Sequence, residues 1–103
     1  MASFYIWETV DFTITLSDPD ALNDAKDIMV SIRQGGIQID KLNPVFDSER
    51  GIIELHLTQE ETGQFSAGNA VIQVNIYCYD TERDATAQGM IRVLDNLYRE
   101  VMS

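Results

Sequence analysis

The sequence has one cysteine and one histidine among its 103 residues, and each scarcity excludes one kind of site. A single thiol, Cys78, excludes an internal disulfide and is typical of a protein that assembles in a reducing cytoplasm. A single imidazole, His56, excludes a metal site built on paired histidines. The alternation of the surrounding residues predicts that His56 faces solvent and that Cys78 lies inward as a small buried hydrophobe.

Basic residues are scarce too, since seven lysines and arginines face 17 aspartates and glutamates, for a net charge of −10. Such a surface repels phosphates, which disfavours nucleic acid and anionic membranes as partners. The same acidity also has a simple interpretation as an aid to solubility. No apolar run approaches the roughly 20 residues that span a bilayer, and the first residues do not resemble a signal peptide.

A length of 103 residues with 45% hydrophobic content is typical of one domain over residues 1–103 that folds without a metal or disulfide. A chain this small exposes much of its surface, so we expect an oligomer or a place in a larger assembly. There is no P-loop, nucleophile elbow, GxGxxG or CxxC motif. We therefore predict a protein that is not an enzyme and binds no cofactor.

Apolar and polar residues alternate along most of the chain, which predicts strands. The clearest case is residues 10–16, where Val10, Phe12, Ile14 and Leu16 share one face. Further strands are predicted at residues 4–7 (a sheet edge), 28–34, 37–41, 52–57, 70–79 and 85–92, with a helical turn or loop at 20–27. Gly35-Gly36 indicates a hairpin turn. The pattern predicts a mostly β chain, an antiparallel immunoglobulin-like β-sandwich of about seven strands.

Two short helices are expected beside the strands. Thr58 and Glu61 have the spacing of a capping box, and Gly63 is placed to end that helix after about one turn. Gly68-Asn69 then returns the chain into the next strand. Near the C-terminus, apolar residues at helical spacing predict a short amphipathic helix, and they are Leu94, Leu97, Tyr98 and Val101.

Several segments together resemble small immunoglobulin-like structural proteins of tailed phages and prophages of Gram-positive bacteria, and the N-terminal domain of phage baseplate upper proteins. The matching segments are FTITL at 12–16, IRQGG at 32–36, GIIELHLTQEET at 51–62, IQV at 72–74 and IRV at 91–93, with Phe65, Gly68, Leu97 and Val101. The chain departs from these proteins at Gly63, where they often carry leucine. The resemblance implies a virion structural or adaptor role and supplies no catalytic residue.

The resemblance thus predicts a tail, baseplate or capsid-associated module that assembles in the bacterial host cytoplasm and then resides in the virion, with other virion proteins or itself as partner. A second hypothesis is a recognition module for surface carbohydrate or a host receptor, in which Trp7 and Tyr5 stack on sugar rings. A third is a small regulatory or inhibitor protein whose acidic surface mimics an anionic ligand.

Interface residues are predicted from the aromatic and apolar side chains that no predicted core requires, since aromatic residues anchor many protein contacts. They are Phe4, Tyr5, Trp7, Tyr77, Tyr79, Leu97, Tyr98 and Val101. Pairing through the edge strand at residues 4–7 would add to these contacts. The alternative is that the chain's own terminal segments cover this face, and the sequence leaves both interpretations open.

Two further groups of side chains are candidates for a metal site or a catalytic site. The acidic residues Asp18, Asp20, Asp24 and Asp27 offer oxygen ligands for Ca²⁺, but they lack the glycine and glutamate of an EF-hand loop and also suit a turn and a helix start. His56 has Glu54 on its own face but no recognisable nucleophile. We predict no metal site and no catalytic residue.

Overall fold

A computed structural model describes residues 2–17 and 19–94 of the chain. The described residues form eight strands. Their bounds are β1 Ala2–Tyr5, β2 Val10–Thr15, β3 Ala25–Gln34, β4 Ile37–Leu42, β5 Val45–Asp47, β6 Ile52–Leu57, β7 Gly68–Cys78 and β8 Ala85–Leu94. One sheet has the order β1-β8-β7-β3-β4 and the other has the order β2-β6-β5. The prediction of a mostly β chain is therefore confirmed.

Most neighbouring strands are antiparallel, as predicted, but β1 pairs with β8 in parallel. The expectation of a wholly antiparallel sandwich is wrong at this edge. The reason is that residues 6–9 carry the chain from β1 in the large sheet to β2 in the small sheet. Because β1 and β2 lie in different sheets, the direction of β1 is set by its neighbour β8.

The core lies between the two sheets and follows the predicted alternation. In β2 the inward residues are Phe12 and Ile14, and in β7 they are Val74, Ile76 and Cys78. Cys78 is buried, as predicted. The edge strand β1 contributes Phe4, whose ring meets that of Phe65 edge-on at 5.6 Å between centroids.

Turn chemistry sets the hairpin between β3 and β4. Gln34 pairs with Ile37, so that Gly35 and Gly36 form a two-residue turn. Only Gly35 has a positive φ, at 58°, which fits a turn with glycine at its first central position. β4 begins at Ile37 as predicted, whereas β3 begins earlier than predicted, at Ala25 after a 3-10 turn at Pro19–Leu22.

The capped turn after β6 is a short helix, α1 (Gln59–Thr62). The Glu61 backbone N–H donates to Thr58 Oγ1 at 3.3 Å, and the Thr58 N–H donates to Glu61 Oε1 at 2.9 Å. The capping box is therefore confirmed. The predicted C-terminal helix falls outside the described residues except for Leu94, which belongs to β8.

Candidate interaction surfaces

The predicted interface residues at the N-terminus divide into buried and exposed ones. Phe4 is 2% exposed and belongs to the core, so its place in a surface interface is corrected. Its burial follows from the pairing of β1 with β8, which turns Phe4 inward beside Val93 and Phe65. Tyr5, the next residue, is 47% exposed.

Trp7 is held by the chain's own helix α1. It lies in the crossing between the sheets with a φ of 66°, a left-handed conformation that is rare for a bulky residue. Its indole ring covers Gly63 so closely that a Cβ on that glycine would lie 2.6 Å from ring carbons. The buried Thr62 hydroxyl fixes the same crossing by donating to the Glu8 carbonyl oxygen at 2.9 Å. Gly63 thus serves close packing, since its φ of −68° suits any residue.

The exposed aromatic residues do not form one surface. Tyr5 pairs with Leu94 at one end of β8, whereas Tyr77 and Tyr79 lie near Ala85 at the other end. Nine residues of strand separate the two groups, which is about 30 Å. The other predicted interface residues, Leu97, Tyr98 and Val101, lie outside the described residues.

A polar face, which was not predicted, lies on the outer side of the large sheet. Its hydrogen-bonded members are Ser31, Gln38, Asp40, Gln73, Asn75, Thr86 and Gln88. Gln88 donates to Gln73 at 2.8 Å, and Gln73 donates to Asn75 at 3.1 Å. These residues come from four strands, so only the register of the sheet shows that they are neighbours.

A groove opens along one side of the sandwich, between the free edge of β2 and the first half of β8. Its volume is about 400 Å³. The lining residues are Ile14, Thr15, Leu16, Ser17, Ile72, Val74, Ile76, Ala85, Thr86, Ala87, Gln88 and Gly89. None of these twelve residues is charged, although 23% of the chain is. Leu42, Val45 and Phe46 are also exposed, and they lie where the chain passes from β4 to β5.

The acidic residues considered for Ca²⁺ have separate structural partners. Asp20 accepts a hydrogen bond from Asn23, Asp24 accepts one from the Asp80 N–H, and Asp27 accepts one from Asn43. Asp18 lies outside the described residues. Within residues 2–17 and 19–94 no three His, Cys, Asp or Glu side chains gather in a group that fits a metal ion.

His56 is exposed, as predicted, and its Nδ1 lies 2.5 Å from Asp11 Oδ1 on the neighbouring strand. This pair was not predicted because the two residues are 45 positions apart and meet only through the register of β2 and β6. The pair stands on the open face of a sheet with 56% and 79% of the side chains exposed. An aspartate can orient a histidine, but that alone supplies no nucleophile.

Two carboxylates have pKa values below their ordinary range. Partial burial by itself raises the pKa of Glu61, but hydrogen bonds from Lys41 and Thr58 and the Lys41 charge together lower it. Lys41 Nζ lies 2.6 Å from Glu61 Oε2 and so ties β4 to α1. On the polar face, hydrogen bonds from Ser31 and Gln38 lower the pKa of Asp40.

No protein-family model and no curated protein matches this chain. Among solved structures, a proposed glycoside hydrolase from Bacteroides vulgatus ATCC 8482 is similar, with a TM-score of 0.54 and 8% sequence identity. The match covers 93% of this chain and 17% of that one, so the chain spans about a sixth of its neighbour's length. At this identity the likeness concerns the fold alone. No helix among the described residues is long and apolar enough to cross a membrane.

Proposed function

We propose that this chain is a non-enzymatic structural or adaptor module of a phage or prophage particle, acting through protein–protein interfaces. It assembles in the cytoplasm of its bacterial host and then takes a place in the tail, baseplate or capsid of the virion. The proposal rests on the sequence resemblance described above. The strand order of the two sheets supports it.

Variable-type immunoglobulin domains place strands C′, C, F and G in one sheet, and strands B, E and D in the other. The orders β4-β3-β7-β8 and β2-β6-β5 correspond to these two sheets. We therefore interpret the fold as immunoglobulin-like, which is the fold that the resemblance implies. In this interpretation β1 takes the position beside strand G, and the place beside strand B has no described strand.

Contacts with neighbouring virion proteins require apolar side chains that the fold leaves outside its own core. Tyr5 and Tyr77 are each 47% exposed, Tyr79 is 74% exposed, and Val45 is 71% exposed. These residues lie at separate places on the surface rather than in one patch. Such a distribution suits a module that contacts more than one neighbour, as an adaptor does.

Deletion of the gene from an inducible prophage tests this proposal. We expect induced cells to release far fewer intact particles, with wild-type yield restored when the chain is supplied from a plasmid. A plasmid carrying a Tyr79→Ala, Val45→Ala variant should restore yield only in part, whereas a Gln38→Ala variant on the polar face should restore it fully. An unchanged number and shape of particles after deletion would contradict the structural role.

The second candidate function, recognition of surface carbohydrate, is favoured by the polar face. Amide and hydroxyl groups that bond one another lie beside Tyr77 on the outer side of the large sheet, and sugar hydroxyls bind such groups. In the same deletion experiment this function predicts intact particles that adsorb poorly to host cells. Restoration of adsorption by wild-type chain, but not by a Gln73→Ala, Gln88→Ala variant, would select it over the structural role.

A further inference from the structure

Strand β1 is a short arm at the edge of the large sheet. It has four residues, and among the described strands it pairs with β8 alone. Its buried side chain is Phe4, which packs edge-on against Phe65. The Ile6 N–H extends the pairing by donating to the Leu94 carbonyl oxygen at 3.0 Å. The arm therefore binds its site through one short ladder of backbone hydrogen bonds and few buried side chains.

The hinge between this arm and β2, residues 7–9, is short and strained. Trp7 has a φ of 66°, in the left-handed region that costs free energy for a bulky L-residue. Two contacts with α1 hold the hinge in this conformation. They are the packing of the indole ring on Gly63 and the hydrogen bond from Thr62 Oγ1 to the Glu8 carbonyl oxygen. Short hinges under strain favour the exchange of a strand between copies, because opening the hinge releases the strain.

The contacts of β1 are the same whether its own β8 or that of a second copy receives it. A second copy's arm has the identical sequence, so it forms the same ladder and places the same phenyl ring against Phe65. These contacts therefore cancel between a closed chain and a pair of chains that have exchanged their arms.

The two forms differ in the hinge. An open hinge is extended, which gives Trp7 a negative φ and removes its strain. Opening also gives up the packing on Gly63 and the hydrogen bond to Glu8, and association costs the two chains their independent motion. The equilibrium between the forms therefore depends on the hinge and on the concentration of the chain.

We propose that β1 is an exchangeable arm: at high concentration two copies open their hinges, and the β1 of each lies beside the β8 of the other. The exchange is reciprocal, so its product is a two-fold dimer. The interaction surface on each copy is the edge of β8 from Ile91 to Leu94, and the partner is the arm of an identical chain. This inference goes beyond the proposed function and does not depend on it, because it concerns the pure chain.

Disulfide cross-linking between two single-cysteine variants detects the exchanged arm directly. Ser3 and Arg92 are exposed register partners on β1 and β8. Gln88 is exposed on the same face of β8, but β1 does not reach it. All variants carry Cys78→Ala, so that no other thiol is present. Equimolar Ser3→Cys and Arg92→Cys are refolded together from urea at millimolar concentration, in salt that screens the net charge, and then oxidised.

We expect a disulfide-linked heterodimer on a non-reducing gel. Its yield should exceed that of a control mixture, with Gln88→Cys in place of Arg92→Cys, by at least about tenfold, because disulfide geometry is specific. Refolding at micromolar concentration should leave both mixtures monomeric. Circular dichroism and thermal unfolding first establish that each variant is folded.

Two substitutions at Trp7 separate the strain of the hinge from the packing of the ring. Trp7→Ala and Trp7→Gly both remove the indole, but only glycine adopts a positive φ without cost. Each dimer opens two hinges, so Trp7→Ala should dimerise at least about tenfold more tightly than Trp7→Gly. Analytical ultracentrifugation of the refolded full chain, with its native thiol kept reduced, measures the two dissociation constants.

Three results would overturn the proposal. They are a refolded wild type that stays monomeric at millimolar concentration, equal cross-linking of Ser3→Cys to Arg92→Cys and to Gln88→Cys, and equal dimerisation of the two Trp7 variants. A dimer that does not cross-link between Ser3→Cys and Arg92→Cys would overturn it as well, because its interface would then lie elsewhere on the molecule.

Discussion

The close contact between Trp7 and Gly63 explains why residue 63 is a glycine. The helix that Gly63 ends has ordinary right-handed geometry there, so backbone freedom does not require glycine. The requirement comes from the indole ring of Trp7, which leaves no room for a Cβ. Leucine at this position in the resembling proteins is incompatible with that ring position. The position of the Trp7 ring therefore requires glycine at residue 63 in this chain.

The substitution Gly63→Ala tests this explanation, because the sign of the change in the free energy of unfolding depends on the Trp7 ring. Without the ring contact, Gly→Ala at a right-handed position stabilises a protein by about 0.4–1 kcal/mol. With the ring in place, we expect overpacking to lower the free energy of unfolding by about 1–3 kcal/mol. Urea denaturation followed by the fluorescence of the single tryptophan measures the change.

A Trp7→Ala background provides the control for this prediction. There the obstructing ring is gone, so Gly63→Ala should become neutral or stabilising. Equal destabilisation in both backgrounds would show that the ring is not the cause.

Glu61 gives a second prediction at the residue scale, concerning pH. Its folded pKa is below its unfolded value, so its charge stabilises the fold above pH about 4.3 and that contribution is lost as the pH falls through the folded pKa. We expect Glu61→Gln to be less stable than wild type at pH 7, with the difference shrinking below pH 4.

Denaturant unfolding at a series of pH values measures this difference. The exposed neighbour Glu60 supplies the matched control in Glu60→Gln. A difference in the free energy of unfolding between wild type and Glu61→Gln that stays constant from pH 7 to pH 3 would contradict the lowered pKa of Glu61.

At the scale of the element, most strands follow from alternation, because a two-residue period is visible in any strand of six or more residues. β2, β6 and the centre of β7 are examples, as is the capped helix α1 with its local Thr58–Glu61 signal. β5 escaped prediction because three residues show no period. The direction of β1 escaped it because that depends on which sheet the next strand joins.

The surfaces were less predictable than the strands because they depend on which strands are neighbours. The polar face and the groove each combine residues from three or four strands, whose neighbours are known only once the register is known. The Asp11–His56 contact and the Trp7–Gly63 contact likewise join residues more than 40 positions apart. Exposure of Tyr77 followed directly from alternation, whereas burial of Phe4 required the pairing of β1 with β8.

The β3–β4 hairpin provides a prediction at this scale. Gly35 has a positive φ and Gly36 does not, and neither has any atom within 4 Å of an added Cβ. We therefore expect Gly35→Ala to lower the free energy of unfolding by about 1–2 kcal/mol and Gly36→Ala to leave it nearly unchanged. Thermal or urea unfolding of the two variants checks this, and equal effects would show that the turn has a different geometry.

At the scale of the whole molecule, the core is buried between the two sheets, but the smaller sheet does not cover all of the large sheet. Among the described residues, a five-stranded sheet faces a sheet of three strands, and the groove lies along one side of the smaller sheet. An isolated domain gains nothing from such a groove, but a subunit of an assembly can complete its core with a neighbour's side chains. The net charge of −10 makes separate copies of the chain repel one another.

Mass spectrometry of purified particles tests the central claim, a structural role in a virion, most directly. Particles are released by DNA damage from a strain that carries the gene in a prophage, purified by density gradient, and quantified against their capsid and tail proteins. We predict that this chain is present in a fixed stoichiometric ratio to those proteins. Its absence from intact particles, while it is abundant in the cells that produced them, would contradict the account.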